Sequence, residues 1–297
     1  MFNARNSYSN NSSNRGGFNR GFNRGNSRGG GRRKLSSFDP SLLIQKAVVE
    51  PVKPAYIAQH SFADFLLCEP LQTNIVERGY VMPTPIQDQT IPYLLDQQDV
   101  IGLANTGTGK TAAFLIPLIH NVYTQKADKV LIMAPTRELA VQIRSELQIF
   151  TKNMKIFSAL CIGGVPLDRQ IRAVRNNPHL VGGAPGRVID REKRGALHFD
   201  DFDSIVLDEV DHMLDLGFIV DMKYVIAKLP ESRHSLFFSA TMPHKLTDVA
   251  RSFLNKPVTL EAEKQSTSAN VNQDVIKVKG QSKIDLLVEF KLQRVKE

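Results

Sequence analysis

Six short apolar runs recur along the middle of the chain: DVIGLA (99–104), KVLIMA (129–134), IFSALCI (156–162), HLVGGA (179–184), SIVLDE (204–209) and SLFFSA (235–240). They are nearly continuous rather than alternating, which is the pattern of strands covered on both faces. Between them, 110–122, 138–150, 166–175 and 244–253 carry apolar residues at helical spacing. Strand–helix alternation of this kind predicts an α/β fold: an open, doubly wound, mostly parallel sheet with helices on both faces and ligands at the carboxyl ends of the strands. The pattern is absent from residues 1–37, which are built from Asn, Ser, Gly, Arg and Phe and cannot bury a core. A polar stretch, AEKQSTSANVNQD (262–274), reads as a linker; VIKVKG and KIDLLVEFKLQ after it read as one strand and one helix. The expected organisation is a disordered tail over 1–37, a folded unit over 38–264, and a linker with the start of a further unit over 265–297.

Charge changes this picture at one end only. Of the 38 Lys and Arg, eight lie in the first 38 residues with no acid among them, and the remaining 30 equal the 30 acids of the chain. The basicity therefore belongs to the tail, where arginines interleaved with Phe and Gly suit phosphate contacts and base stacking on RNA; a solubilising tail is the plainer alternative. The two cysteines, Cys68 and Cys161, are far apart and lack metal-ligand spacing, which fits a reducing, cytoplasmic setting. No charged-then-apolar leader opens the chain and no apolar run approaches a membrane span, so no membrane partner is expected.

The chemistry begins after the first strand, in GLANTGTGKTAAF. Gly107 and Gly109 let the backbone curl around an anion, the new helix adds its free amides, Lys110 places a cation on the outer phosphates, and the Thr111 hydroxyl can ligate Mg²⁺. Ala104 stands where the generic phosphate loop has Gly; Asn105, Thr106 and Thr108 complete the loop. A second element, DEVDHMLDLGF (208–218), follows a strand of the same sheet. Acids there could simply start a helix. Facing a phosphate loop, Asp208 becomes the carboxylate that holds Mg²⁺, through water, and Glu209 the group that orients and deprotonates the attacking water.

These residues resemble the DEAD-box ATP-dependent RNA helicases, with motifs in family order over roughly residues 60–260. The box reads Asp-Glu-Val-Asp, with Val210 for the usual Ala, and Ala104 is normal in that family's phosphate loop. GYVMPTPIQ (79–87), with Phe62 seventeen residues before Gly79, resembles the family's adenine-recognition motif: Gln87 would read the adenine edge and Phe62 stack on the ring. The resemblance implies RNA-backbone contacts by Pro135, Thr136 and Arg137, by Gly163 and Gly164, and by Gly186 and Arg187. Ala184 replaces the Thr that usually begins that last motif and so lacks its hydroxyl. Ser239, Ala240 and Thr241 resemble the segment that couples the nucleotide and RNA sites through Asp211. It also implies a RecA-like lobe, ATP and Mg²⁺ as cofactors, RNA as partner, and a second RecA-like lobe that residues 265–297 do not supply. The expected activity is RNA-dependent ATP hydrolysis with local duplex unwinding. An ATP- and RNA-binding chain without turnover of its own, and a DNA-directed motor, are the alternatives.

Overall fold

The computed structural model describes residues 56–262, 278 and 282–294. The expected tail, the linker apart from Ala262, and the VIKVKG strand apart from Val278 lie outside the described residues. The described residues 56–262 belong to one compact unit; outside it, a helix over Lys283–Arg294 matches the expected one.

The compact unit holds a seven-stranded sheet, parallel throughout. Its strands are β1 (Val100–Leu103), β2 (Val130–Met133), β3 (Ser158–Cys161), β4 (Leu180–Gly183), β5 (Ser204–Leu207), β6 (His234–Ser239) and β7 (Val258–Glu261), in the order β3-β4-β2-β5-β6-β1-β7. Six are the expected strands, most of them trimmed at one or both ends. The seventh pairs with β1 at the sheet edge and was not expected. The helices are α1 (Glu69–Glu77), α2 (Pro85–Leu95), α3 (Lys110–Tyr123), α4 (Arg137–Phe150), α5 (Leu167–Arg175), α6 (Pro185–Lys193), α7 (Val210–Asp215), α8 (Ile219–Ile226) and α9 (His244–Phe253).

Strand side chains alternate between two cores. Val130, Ile132, Val206, Leu236 and Phe238 pack with α1 to α4, through residues such as Leu71, Ile86, Phe114 and Ile143. Leu131, Met133, Ile205, Leu207 and Phe237 pack on the other face with α5 to α9, through Val174, Val188, Met213, Met222 and Leu246. Because both faces are covered, a central strand has no polar side to show, which is why it reads as an unbroken apolar run. Parallel pairing has a second consequence: every strand ends its run at the same edge of the sheet, so the loops after β1 to β6 all gather there. Cys68 and Cys161 are both free; burial pushes the Cys161 thiol up to about 11.

Candidate functional site

The loop after β1 passes twice through left-handed backbone, with φ of +81° at Gly107 and +92° at Gly109. Around Gly107 there is open space, whereas a Cβ on Gly109 would strike the Gln87 amide and lie 3.0 Å from Thr84 Oγ1. Glycine is required at 109 both by conformation and by space. Thr108 Oγ1 donates to the Asn105 carbonyl at 2.7 Å and tightens the turn, while Thr106 and Gly107 are exposed. α3 starts at Lys110, so the unpaired amides of its first turn open onto this loop. The Lys110 ammonium, nearly buried, donates to the Ala104 carbonyl at 2.7 Å. That uses one of its three protons and leaves two for phosphate oxygens. Thr111, half-buried, is the second residue of the helix.

Asp208 lies one residue beyond β5, with its N–H bonded to the Met133 carbonyl at 3.0 Å. It is 2% exposed, and its carboxylate accepts the Glu209 N–H at 3.0 Å. Burial pushes its pKa up to about 7, against the pull of the Lys110 charge and with a further push from Glu209. A buried carboxyl facing a lysine is short of positive charge, and a divalent cation would supply it. Asp208 and Thr111 offer hard oxygens suited to Mg²⁺. Among the described residues no group of three or more His, Cys, Asp or Glu could hold a metal alone.

Glu209 occupies left-handed backbone, φ 51° and ψ 52°, where a non-glycine residue costs about 1–2 kcal/mol. Strain of this kind persists where the surrounding structure over-determines it, commonly at functional turns. The turn places Glu209 at the N-terminus of α7, with Oε2 3.6 Å from His212 Nδ1. Two residues on, Asp211 Oδ2 accepts both the N–H and the hydroxyl of Thr241, each at 2.9 Å. Ser239 Oγ donates to the Thr241 carbonyl at 2.7 Å and accepts the Asp211 N–H at 3.3 Å. Burial works to raise the Asp211 carboxyl, but these bonds outweigh it and hold the pKa below the ordinary range. Ala240, half-buried, is the link between Ser239 and Thr241.

Gln87 is turned inward rather than held free. Its Oε1 accepts the Thr84 N–H and its Nε2 donates to the Gly109 carbonyl, both at 3.0 Å, so one side chain joins the start of α2 to the phosphate loop. One amide proton and one lone pair remain for a base edge. Thr84 Oγ1 beside it is buried and has no hydrogen-bond partner among the described residues. Phe62 is 6% exposed and packs its ring against Phe65 and Tyr80, at 6.0 and 5.8 Å between centroids.

The other loops bring the remaining candidates together. Thr136 caps α4 by accepting the Leu139 N–H at 3.2 Å, and Pro135 before it is buried. Arg137 is exposed, and its guanidinium lies so close to Gly164 that any Cβ there would collide with it. Gly164 has φ +75°, so its conformation favours glycine, while the exposed Arg137 side chain is free to move aside. The Arg187 Nε is 3.7 Å from where a Gly163 Cβ would stand. The two glycines thus lie between two exposed guanidinium groups, with Gly186 exposed beside Arg187.

The family model for DEAD/DEAH box helicases matches residues 84–249, more than half of the chain. The chain belongs to the DEAD/DEAH box helicase family. It is 40% identical over 233 residues to the ATP-dependent RNA helicase DeaD of Klebsiella pneumoniae, covering 77% of this chain and 36% of that protein. It is 41% identical over 231 residues to the DEAD-box ATP-dependent RNA helicase CshA of Streptococcus pneumoniae, covering 77% and 44%. This family member therefore spans less than half the length of these relatives. Among solved structures it is similar to a DEAD box protein from the hyperthermophile Methanococcus jannaschii, with a TM-score of 0.65 and 34% identity over 68% of this chain and 56% of that one. A hypothetical ATP-dependent RNA helicase from Sulfolobus tokodaii gives 0.61 and 33%, over 65% and 57%. These likenesses agree with the α/β RecA-like lobe expected from sequence. Among the described residues of this helicase-family chain, no helix is long and apolar enough to cross a membrane.

Three residues of the family member's site region were missed. Asp88, 2% exposed, accepts the Tyr56 hydroxyl, the Gln59 N–H and both the N–H and Nδ1 of His60, and so anchors the segment leading to Phe62. In sequence it reads as an ordinary first-turn acid. Gln170 and Arg191 are buried polar residues on the apolar stripes of α5 and α6. Their positions, three residues after Leu167 and Val188, were the available signal.

Proposed function

We propose that this chain is the ATP-binding lobe of an RNA-dependent ATPase that separates or remodels RNA. The observation that carries the reading is the placement of the Lys110 ammonium within electrostatic reach of the buried Asp208, behind a glycine-shaped loop. The chain's residues divide the work. The amides of 107–111 and the Lys110 ammonium hold the β- and γ-phosphates. Asp208 and Thr111 would hold Mg²⁺, which when bound neutralises phosphate charge. Glu209 orients a water and accepts its proton. The free capacity of Gln87 selects adenine. Asp211 and Thr241 tie the acid turn to the strand next to the phosphate loop, and Arg137, Gly163, Gly164, Gly186 and Arg187 contact RNA phosphates. The arginine-rich tail adds contacts without sequence preference. A second RecA-like lobe, as the family resemblance implies, completes both sites, and a cytoplasmic setting goes with an RNA substrate.

MgADP calorimetry on the purified chain, followed by ATPase assays on a two-lobed version with and without single-stranded RNA, tests this. Lys110→Ala should abolish measurable nucleotide binding, and RNA should accelerate phosphate release. Unchanged affinity in Lys110→Ala would remove the phosphate loop from the site, and stimulation by DNA equal to that by RNA would favour a DNA-directed motor.

A further inference from the structure

The glycine turn between β3 and α5 is held shut by one side chain. Gln170 Oε1 accepts the Ile162 N–H at 3.1 Å, and its Nε2 donates to the carbonyls of Ile162 and Val165, each at 3.0 Å. Ile162 immediately precedes Gly163 and Val165 immediately follows Gly164. A primary amide therefore brackets both ends of a turn whose two middle residues have no side chains to fix it. Gln170 is itself fixed from behind: the Arg191 guanidinium, on α6, donates to Gln170 Oε1 at 3.2 Å. Arginine has donors only, so the amide atom that faces it must be the oxygen. That choice points the amide hydrogens at the turn's carbonyls. Asp190 supplies the counter-charge for Arg191 and also accepts Arg194 Nε at 3.0 Å. Arg191 and Gln170 are 3% and 4% exposed, so neither can reach a polymer lying on the surface.

A buried arginine is expensive to desolvate, and an apolar residue of similar size often serves stability as well or better. Holding the fold together is thus a weak reason for its presence. A geometric task fits better. The turn it braces lies between Arg137 and Arg187, and α6 carries both Arg191 and Arg187.

We propose that Gln170, oriented by Arg191, is a positioning pair that holds the Gly163–Gly164 turn in the shape that receives an RNA phosphate between Arg137 and Arg187. This rests on the reading of that face as the RNA-contacting one. The pair acts on RNA only through the turn. Its loss should therefore weaken binding without removing any ion contact to phosphate.

The test is fluorescence anisotropy of a labelled single-stranded oligouridine with the full 297-residue chain across a salt series, for wild type, Arg191→Met, Gln170→Glu, Arg137→Met and Arg187→Met. Gln170→Glu keeps an oxygen toward Arg191 and loses the donor to the turn. Both brace variants should bind RNA about fivefold more weakly, the fold-change matching loss of one ordinary hydrogen bond, with the salt slope of wild type. Arg187→Met should lower that slope by about 0.7, as loss of one single-strand phosphate contact does. Amide hydrogen exchange over 163–165 should quicken in both brace variants, and MgADP affinity should stay at the wild-type value. Wild-type RNA affinity in both brace variants, or a slope reduced as far as in Arg187→Met, overturns the proposal. If Arg137→Met and Arg187→Met also bind RNA as wild type does, the RNA face itself falls; if they weaken binding and the brace variants do not, only the brace falls.

Discussion

Replacing Asp208 with Asn should stabilise the protein, and by an amount that grows with pH. The substitution keeps the size of the side chain and the oxygen that accepts the Glu209 N–H, and it removes the ionisation. In the folded chain burial lifts the carboxyl to about 7, whereas an exposed aspartate titrates near 3.9. The folded state thus keeps a proton over a range where the unfolded chain has already lost it. Stability linked to this group is complete below about pH 4 and declines as pH rises toward 7, because ionisation favours the unfolded chain. A lift of this size corresponds to about 4 kcal/mol when fully expressed. The handicap carried by the wild type should be about 1.5 kcal/mol at pH 5 and about 4 kcal/mol at pH 8. Urea unfolding of both proteins from pH 5 to pH 8, without nucleotide or Mg²⁺, measures the difference. The Asp208→Asn variant escapes the handicap, so its advantage should widen by about 2–3 kcal/mol over that range. Adding MgADP at pH 8 should then stabilise the wild type far more than the variant. A pH-independent difference between the two proteins would refute the argument that Asp208 is a desolvated acid waiting for a cation.

Ala184 begins α6 with no side-chain bond to its first turn, although its backbone, φ −77° and ψ 144°, is that of a capping residue. Ala184→Thr should add the missing acceptor and raise stability by about 1 kcal/mol, seen as a melting temperature higher by about 2–4 °C; no gain would show that the hydroxyl cannot reach the helix amides. Thr241→Val keeps the side-chain shape and removes one of the two bonds from Thr241 to Asp211. In a two-lobed version it should leave MgADP affinity within about twofold of wild type, since a semi-exposed bond of this kind is worth about 1 kcal/mol and lies off the phosphates, while reducing the effect of RNA on ATP turnover. RNA stimulation equal to wild type would show that the Asp211–Thr241 bond is structural only.

The strands were legible because burial on both faces leaves a plain sequence trace, and the phosphate loop because few other turns need Gly, Gly, Lys and Thr in that spacing. The expected runs overshot the ladders for a physical reason. Ala104, Ala134 and Asp208 are buried like strand residues, and Ala184 is half-buried, yet all four already belong to the turns beyond the strands. β7 escaped notice because it is a four-residue edge strand with half-exposed side chains, so Val258 and Leu260 leave only a faint alternation. Side chains that bond backbone were not legible. Nothing in the spacing says that Gln87 spends its amide on Thr84 and Gly109, or that Asp88 gathers Tyr56, Gln59 and His60. Phe62 shows the limit from the other side: the family resemblance implied a stacking role, while its ring contacts with Phe65 and Tyr80 are visible only in the fold.

The order of strands in the sheet, which no sequence pattern displays, sets the proposed nucleotide and RNA sites side by side. β5, β6 and β1 are neighbours, and they end in the acid turn, the Ser239–Thr241 segment and the phosphate loop. β3, β4 and β2 are neighbours, and they end in the glycine turn, the Arg187 motif and the Arg137 motif. The proposed nucleotide and RNA sites are therefore the two halves of one sheet edge, and β5 stands at their boundary beside β2. Asp208 is bonded through its N–H to Met133, two residues before Pro135, while Asp211 is bonded to Thr241 on the opposite side. The backbone between them includes the strained Glu209. The physical link between the two proposed halves is therefore short: the Asp208 N–H on the Met133 carbonyl, the left-handed Glu209, and the bonds from Thr241 to Asp211.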